Sequence, residues 1–148
     1  MDEEQLYSVL VNAVVVKDGK VLISKRGLDE DHEPGKWTVP GGTLEQTERS
    51  FNVLEETAKR EVLEETDIEV EDKMHLLINN TFNHDKDNLL VVAIVFFCRY
   101  KSGEAKALED TTDVKWITKE EIDNYEFPHS NVREYVIKGF EFLEKIKK

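Results

Sequence analysis

Three carboxylates, Glu61, Glu64 and Glu65, stand at i, i+3 and i+4. On a helix of 3.6 residues per turn this spacing confines them to an arc of roughly 100°. Like charges so placed destabilise a helix by about 0.2–0.5 kcal/mol per pair, so their gathering calls for a compensating cation. Between Pro40 and Ile68 the chain has no Cys or His, and oxygen donors alone select a hard ion, Mg²⁺ or Mn²⁺. Upstream, Gly41 and Gly42 follow Pro40. Two glycines let the backbone come close to a ligand, or offer the Gly42 carbonyl to the metal. A charged run such as Arg60–Glu65 is, alone, a common solvated helix face; the glycine pair and the flanking strand patterns set this one apart.

The elements that must hold these groups can be read around them. Leu54, Ala58 and Val62, with Phe51 a turn earlier, form an apolar stripe, which predicts a helix over residues 51–66 packed with its acids toward a cleft. Before it, residues 8–16 and 20–26 read as strands joined by Asp18-Gly19, a two-residue hairpin signal. A polar loop covers 27–36, and Lys25 and Arg26 at its start are candidate contacts for phosphate or base, or an ordinary strand end. After the helix come 68–70 and 74–82, a turn at 84–88, and a continuous apolar run over 89–100. Such a run predicts a strand covered on both faces, hence helices on both sides of the sheet. The loop 101–113 carries Glu104, Glu109 and Asp110; Glu109 is a further candidate metal ligand. A strand at 114–117, a capping box of Thr118 with Glu121, and a helix from about Asn131 to Ile146 close the chain.

With these residues in place, the stretch resembles the Nudix box, G-x5-E-x7-R-E-U-x-E-E-x-G-U with U apolar. Gly42 and Glu48 match its first part; Arg60, Glu61, Val62, Glu64, Glu65 and Ile68 match its second. There are two departures. Eleven residues separate Glu48 from Arg60 where the family has seven, and Asp67 replaces the late glycine. The resemblance implies a Nudix-type α/β/α sandwich with a mixed central sheet, formed by a single domain over 1–148. It implies Mg²⁺-dependent hydrolysis of a diphosphate linkage in a nucleoside diphosphate derivative. Glu61, Glu64 and Glu65 would bind metal with Gly42, and Arg60 and Glu48 would orient them. The segment Phe127-Pro128-His129-Ser130-Asn131 is similar to one in MutT-type members whose asparagine reads an oxidised guanine. Asn131 followed three residues later by Glu134 is also a capping box. The favoured substrate is therefore a (d)NTP or oxidised purine nucleoside triphosphate, cleaved to the monophosphate and pyrophosphate. ADP-ribose or a nucleotide sugar is the alternative, and a non-catalytic nucleotide sensor a second.

Composition limits the partners. With 20 Lys and Arg against 32 Asp and Glu the net charge is -12, which repels nucleic acid and anionic membrane and favours a small nucleotide escorted by cations. Cys98 is the sole cysteine, so no disulfide forms within the chain. The N-terminal segment lacks the pattern of a signal peptide and no apolar run reaches ~18 residues, so a cytoplasmic protein is expected, as monomer or homodimer. The four histidines show no paired zinc spacing.

Overall fold

The computed structural model describes residues 5–28, 34–45, 49–83, 88–127 and 130–147. The Asp18-Gly19 hairpin forms as expected, both residues at positive φ, between β1 (Leu6–Lys17) and β2 (Lys20–Arg26). Short strands β3 (Trp37–Thr38) and β4 (Gly41–Thr43) lead toward helix α1 (Val53–Thr66). Then come β5 (Glu69–Val70), β6 (His75–Asn83), β7 (Leu89–Ser102) and β8 (Thr111–Ile117), a 3₁₀ turn over Lys119–Asn124, and helix α2 (Ser130–Ile146). The expected turn at 84–88 lies mostly outside the described residues.

The sheet is mixed. β1 and β7 run parallel in an unbroken register from Leu6 opposite Leu89 to Val16 opposite Arg99. β2, β4 and β6 add antiparallel to this pair, and β3 and β8 extend it through β2. Alternation along β1 then sorts its side chains by face. Val11, Ala13 and Val15 join Ala58, Val62 and Ile68 in a core under α1; Val14 and Val16 join Tyr135, Val136 and Phe140 under α2. β7 does the same, with Phe96 and Cys98 under α1 and Ala93, Val95 and Phe97 under α2. The doubly covered apolar run therefore builds a three-layer α/β/α sandwich.

Helix α1 corrects one expectation. It starts at Val53, after a turn in which Asn52 is left-handed at φ 60, and Phe51 is 95 % exposed, so Phe51 is not part of the buried stripe. Of the eleven residues between Glu48 and Arg60, residues 49–52 precede the helix and 53–59 lie in it. Thr57 and Thr66 complete the buried face, each donating its hydroxyl one turn back, to the Val53 and Val62 carbonyls at 2.7 and 2.6 Å. The helix ends on Asp67, left-handed at φ 63, whose N–H donates to the Leu63 carbonyl. Aspartate tolerates this conformation better than most residues, so it closes the helix where the family uses glycine.

On the other face, Gly139 lets α2 lie on β1, since a Cβ there would come within 2.5 Å of Val14 Cγ1. The 3₁₀ turn is capped as expected, Glu121 accepting the Thr118 N–H at 2.9 Å. Among the described residues no helix is long and apolar enough to cross a membrane.

Candidate active site

Glu61 and Glu65 lie one turn apart on α1 and project against the Gly41-Gly42 strand. The contact is close: a Cβ on Gly42 would fall 2.4–2.7 Å from the Glu61 carboxyl atoms. Only glycine admits the carboxylate there. Glu65 accepts a hydrogen bond from the Gly41 backbone and is hydrogen-bonded to Glu61. Burial, the bond to Glu61 and its charge push the Glu65 carboxyl up to about 9, against the opposing pull of Gly41 and of the Arg26 charge. Burial also raises Glu61, with the Glu64 charge adding to it, while the bond to Glu65 and the nearby Arg60 pull it back. Two acids in a partly dry site cannot both ionise without a cation.

Glu64 does not join the pair. Its carboxylate lies 3.8 Å from Arg60 Nε, and Arg60 Nη2 lies 3.6 Å from Glu61, so Arg60 spans the two acids. Among the described residues no three Asp, Glu, His or Cys side chains converge on one point. The expected three-carboxylate cluster is thus a pair plus a neighbour turned outward. That pair still fits a divalent ion, because two adjacent, partly buried carboxylates call for a compensating positive charge and the donors are all hard oxygens. Glu48 lies outside the described residues.

The loop after β7 closes onto the same helix end. The Lys106 and Leu108 N–H groups donate to the Thr66 and Glu65 carbonyls at 2.9 and 3.0 Å, satisfying two of the four carbonyls a helix C-terminus leaves open. Gly103 lets it approach, since a Cβ there would meet the Asp67 carbonyl at 2.6 Å. The next residue after Leu108 is Glu109, left-handed at φ 54. Asp110 then accepts the Gly27 N–H at 2.8 Å, tying the loop to the end of β2. Among the described residues, the other left-handed ones that are not glycine are Asp18, Asn52 and Asp67, types that tolerate this region; a glutamate there is strained.

Lys25 and Arg26 separate. Arg26 acts on Glu65 from the α1 side. Lys25 Nζ lies 5.9 Å from the Trp37 ring centroid, and Trp37, packed edge-on to Tyr125 at 5.1 Å, borders the core under α2. Asn131 is the second residue of α2, inside the first turn instead of at the cap, and its side chain makes no hydrogen bond among the described residues. Pro128 and His129 lie outside the described residues. The sequence alone did not reveal the Gly41 N–H, the Leu108 N–H or the reach of Arg26 to Glu65; the paired glycines were a signal for the first of these.

A sandwich with an acid pair on a helix that backs onto a diglycine strand defines a Nudix-type hydrolase fold. Residues 6–139 match the NUDIX domain, and the chain belongs to that family. It is 36% identical over 119 residues to a MutT-like protein of Streptomyces ambofaciens, covering 79% of this chain and 68% of that one. It is 26% identical over 144 residues to the nucleoside triphosphatase NudI of Escherichia coli K12, covering 88% and 95%. The crystal structure of a MutT protein from Methanosarcina mazei Go1 superposes with a TM-score of 0.74 at 25% identity, covering 99% of each chain. That of a MutT NUDIX hydrolase from Burkholderia pseudomallei gives 0.70 at 26%, covering 89% and 97%. The chain is a Nudix hydrolase acting on phosphoanhydride bonds of nucleotide derivatives, an activity for which the family uses divalent metal ions.

Proposed function

We propose that the chain hydrolyses a nucleoside triphosphate, a (d)NTP or an oxidised purine nucleoside triphosphate, to the monophosphate and pyrophosphate with Mg²⁺. The hydrogen-bonded Glu61–Glu65 pair packed against Gly41-Gly42 carries this reading, because two adjacent carboxylates beside a diglycine strand suit a hard cation. Mg²⁺, bound by Glu61 and Glu65 with Glu64 turning in from Arg60, would neutralise the phosphate oxygens and lower the pKa of a water. Mn²⁺ would serve the same donors.

The chain's own residues do the rest. Arg60 holds Glu61 and Glu64 in place. Arg26, whose charge already acts on Glu65, adds positive potential for the phosphates. Water attacks phosphorus, the bridging P–O bond breaks, and pyrophosphate leaves; Glu109, fixed by the backbone bonds on either side of it, takes the water proton. The triphosphate over other nucleotide derivatives is favoured by the similarity to the nucleoside triphosphatase NudI, matched over 95% of its length. Asn131 supports a purine, since its amide carries both a donor and an acceptor for a base edge.

A release assay with Mg²⁺ over purine and pyrimidine triphosphates, ADP-ribose and a nucleotide sugar tests the reading. Preferred turnover of purine triphosphates is the expected result; preferred turnover of ADP-ribose or the sugar would replace it.

A further inference from the structure

Asn12 stands in the middle of β1, flanked by Val11 and Ala13 under α1. Strand alternation puts its side chain on the α2 face, in register with the buried Val95 of that face. The residue is 8 % exposed, and its amide finds no hydrogen-bond partner among the described residues. A buried amide without a partner is destabilising, and native chains keep few of them. A valine or leucine, the types that predominate in β1, would be the stable choice here.

Its position explains what the amide is for. Asn12 pairs with Gly41 across the β1–β4 ladder, and its Oδ1 would lie 2.3 Å from a Cβ built on that glycine. Gly41 is the same residue whose backbone bonds to Glu65. Gly41 therefore carries the Glu65 carboxylate on its backbone and the Asn12 amide beside its Cα, which makes Asn12 a neighbour of the strand that the acids face. The same α2 side of the sheet carries aromatic and polar groups of the kinds that stack on and hydrogen-bond a base. Trp37 and Phe127 border this core, and Tyr135 donates to Asn80 Oδ1 at 2.5 Å on β6, two strands away.

We infer that Asn12 is a specificity-determining residue that hydrogen-bonds the edge of a purine base from the floor of the sheet. The inference rests on the triphosphate reading for its substrate, but its test does not need turnover. Thermal shifts of the wild type, Asn12→Leu and Asn12→Ala are measured with purine and with pyrimidine nucleoside monophosphates in Mg²⁺. Without ligand, Asn12→Leu is expected to melt a few degrees higher, because the unpaired amide is gone. A purine monophosphate should raise the melting temperature of the wild type and not of either variant, and a pyrimidine monophosphate should treat all three alike. In turnover, the purine-to-pyrimidine ratio of kcat/KM should fall at least tenfold, through KM more than kcat. Unchanged purine shifts in both variants, or a fall of several degrees in both unliganded proteins, would overturn the inference. Failure of the wild type to hydrolyse any triphosphate would instead remove the reading above, leaving the shift comparison to decide Asn12.

Discussion

Glu65→Gln separates the charge of the acid pair from its shape. In the metal-free protein Glu65 titrates near 9, against 4.5 when unperturbed, chiefly because of burial and its neighbour Glu61. The raised value means that the folded chain holds a proton the unfolded chain has released. Stability from this group is therefore complete below about pH 4.5 and is lost progressively as pH rises toward 9. The loss is about 1.4 kcal/mol per pH unit inside that window, on the order of 4 kcal/mol between pH 5.5 and 8.5. Glutamine keeps the length and a donor toward Glu61 but cannot ionise. Urea unfolding in EDTA at several pH values should show the wild type losing stability on this slope, with Glu65→Gln nearly flat and the more stable of the two at pH 8.5. Added Mg²⁺ should stabilise the wild type at pH 8.5 far more than the variant, while the variant's turnover falls by orders of magnitude. Parallel pH profiles for the two proteins would refute the raised-pKa account of the site.

Gly42→Ala places a Cβ 2.4–2.7 Å from the Glu61 carboxyl atoms, so turnover should fall at least a hundredfold by steady-state assay while far-ultraviolet circular dichroism stays unchanged. Glu109→Gly removes a left-handed glutamate and should stabilise the protein by about 1 kcal/mol in urea unfolding, whereas Glu109→Gln should leave stability as it is; both should lose turnover. Asp67→Gly should add about 0.5–1 kcal/mol by relieving the helix end, because the exposed pair it loses with Lys106 at 3.7 Å contributes little, and turnover should not change. Phe51→Ser, at a residue 95 % exposed, should leave the melting temperature unchanged.

Much of the fold was legible because its signals are local. Asp18-Gly19 fixes a hairpin, the apolar continuity of 89–100 requires two covering layers, and the Thr118–Glu121 box starts a turn. Phe51 misled because helical spacing continues through it, while the left-handed Asn52 breaks the helix just beyond it; period alone does not contain that break. In the site, the acids announced themselves by spacing, but i, i+3, i+4 gives directions on a cylinder and not what lies opposite each. Glu61 and Glu65 meet the glycine strand, and Glu64 meets Arg60. Lys25 and Arg26, adjacent in sequence, part to opposite faces of the sheet. Asn12 was hidden for a related reason: in a run of valines a single asparagine reads as a tolerated exception until its face, and its lack of a partner among the described residues, are known.

The proposed reaction is cleavage of a purine nucleoside triphosphate between its α- and β-phosphates at this acid pair. Incubating the wild type with dGTP or its 8-oxo derivative and Mg²⁺, then separating the products by anion exchange, tests it most directly. Stoichiometric nucleoside monophosphate and pyrophosphate, with neither formed by Glu65→Gln, is the predicted result. Orthophosphate with nucleoside diphosphate, or equal product from Glu65→Gln, would contradict it.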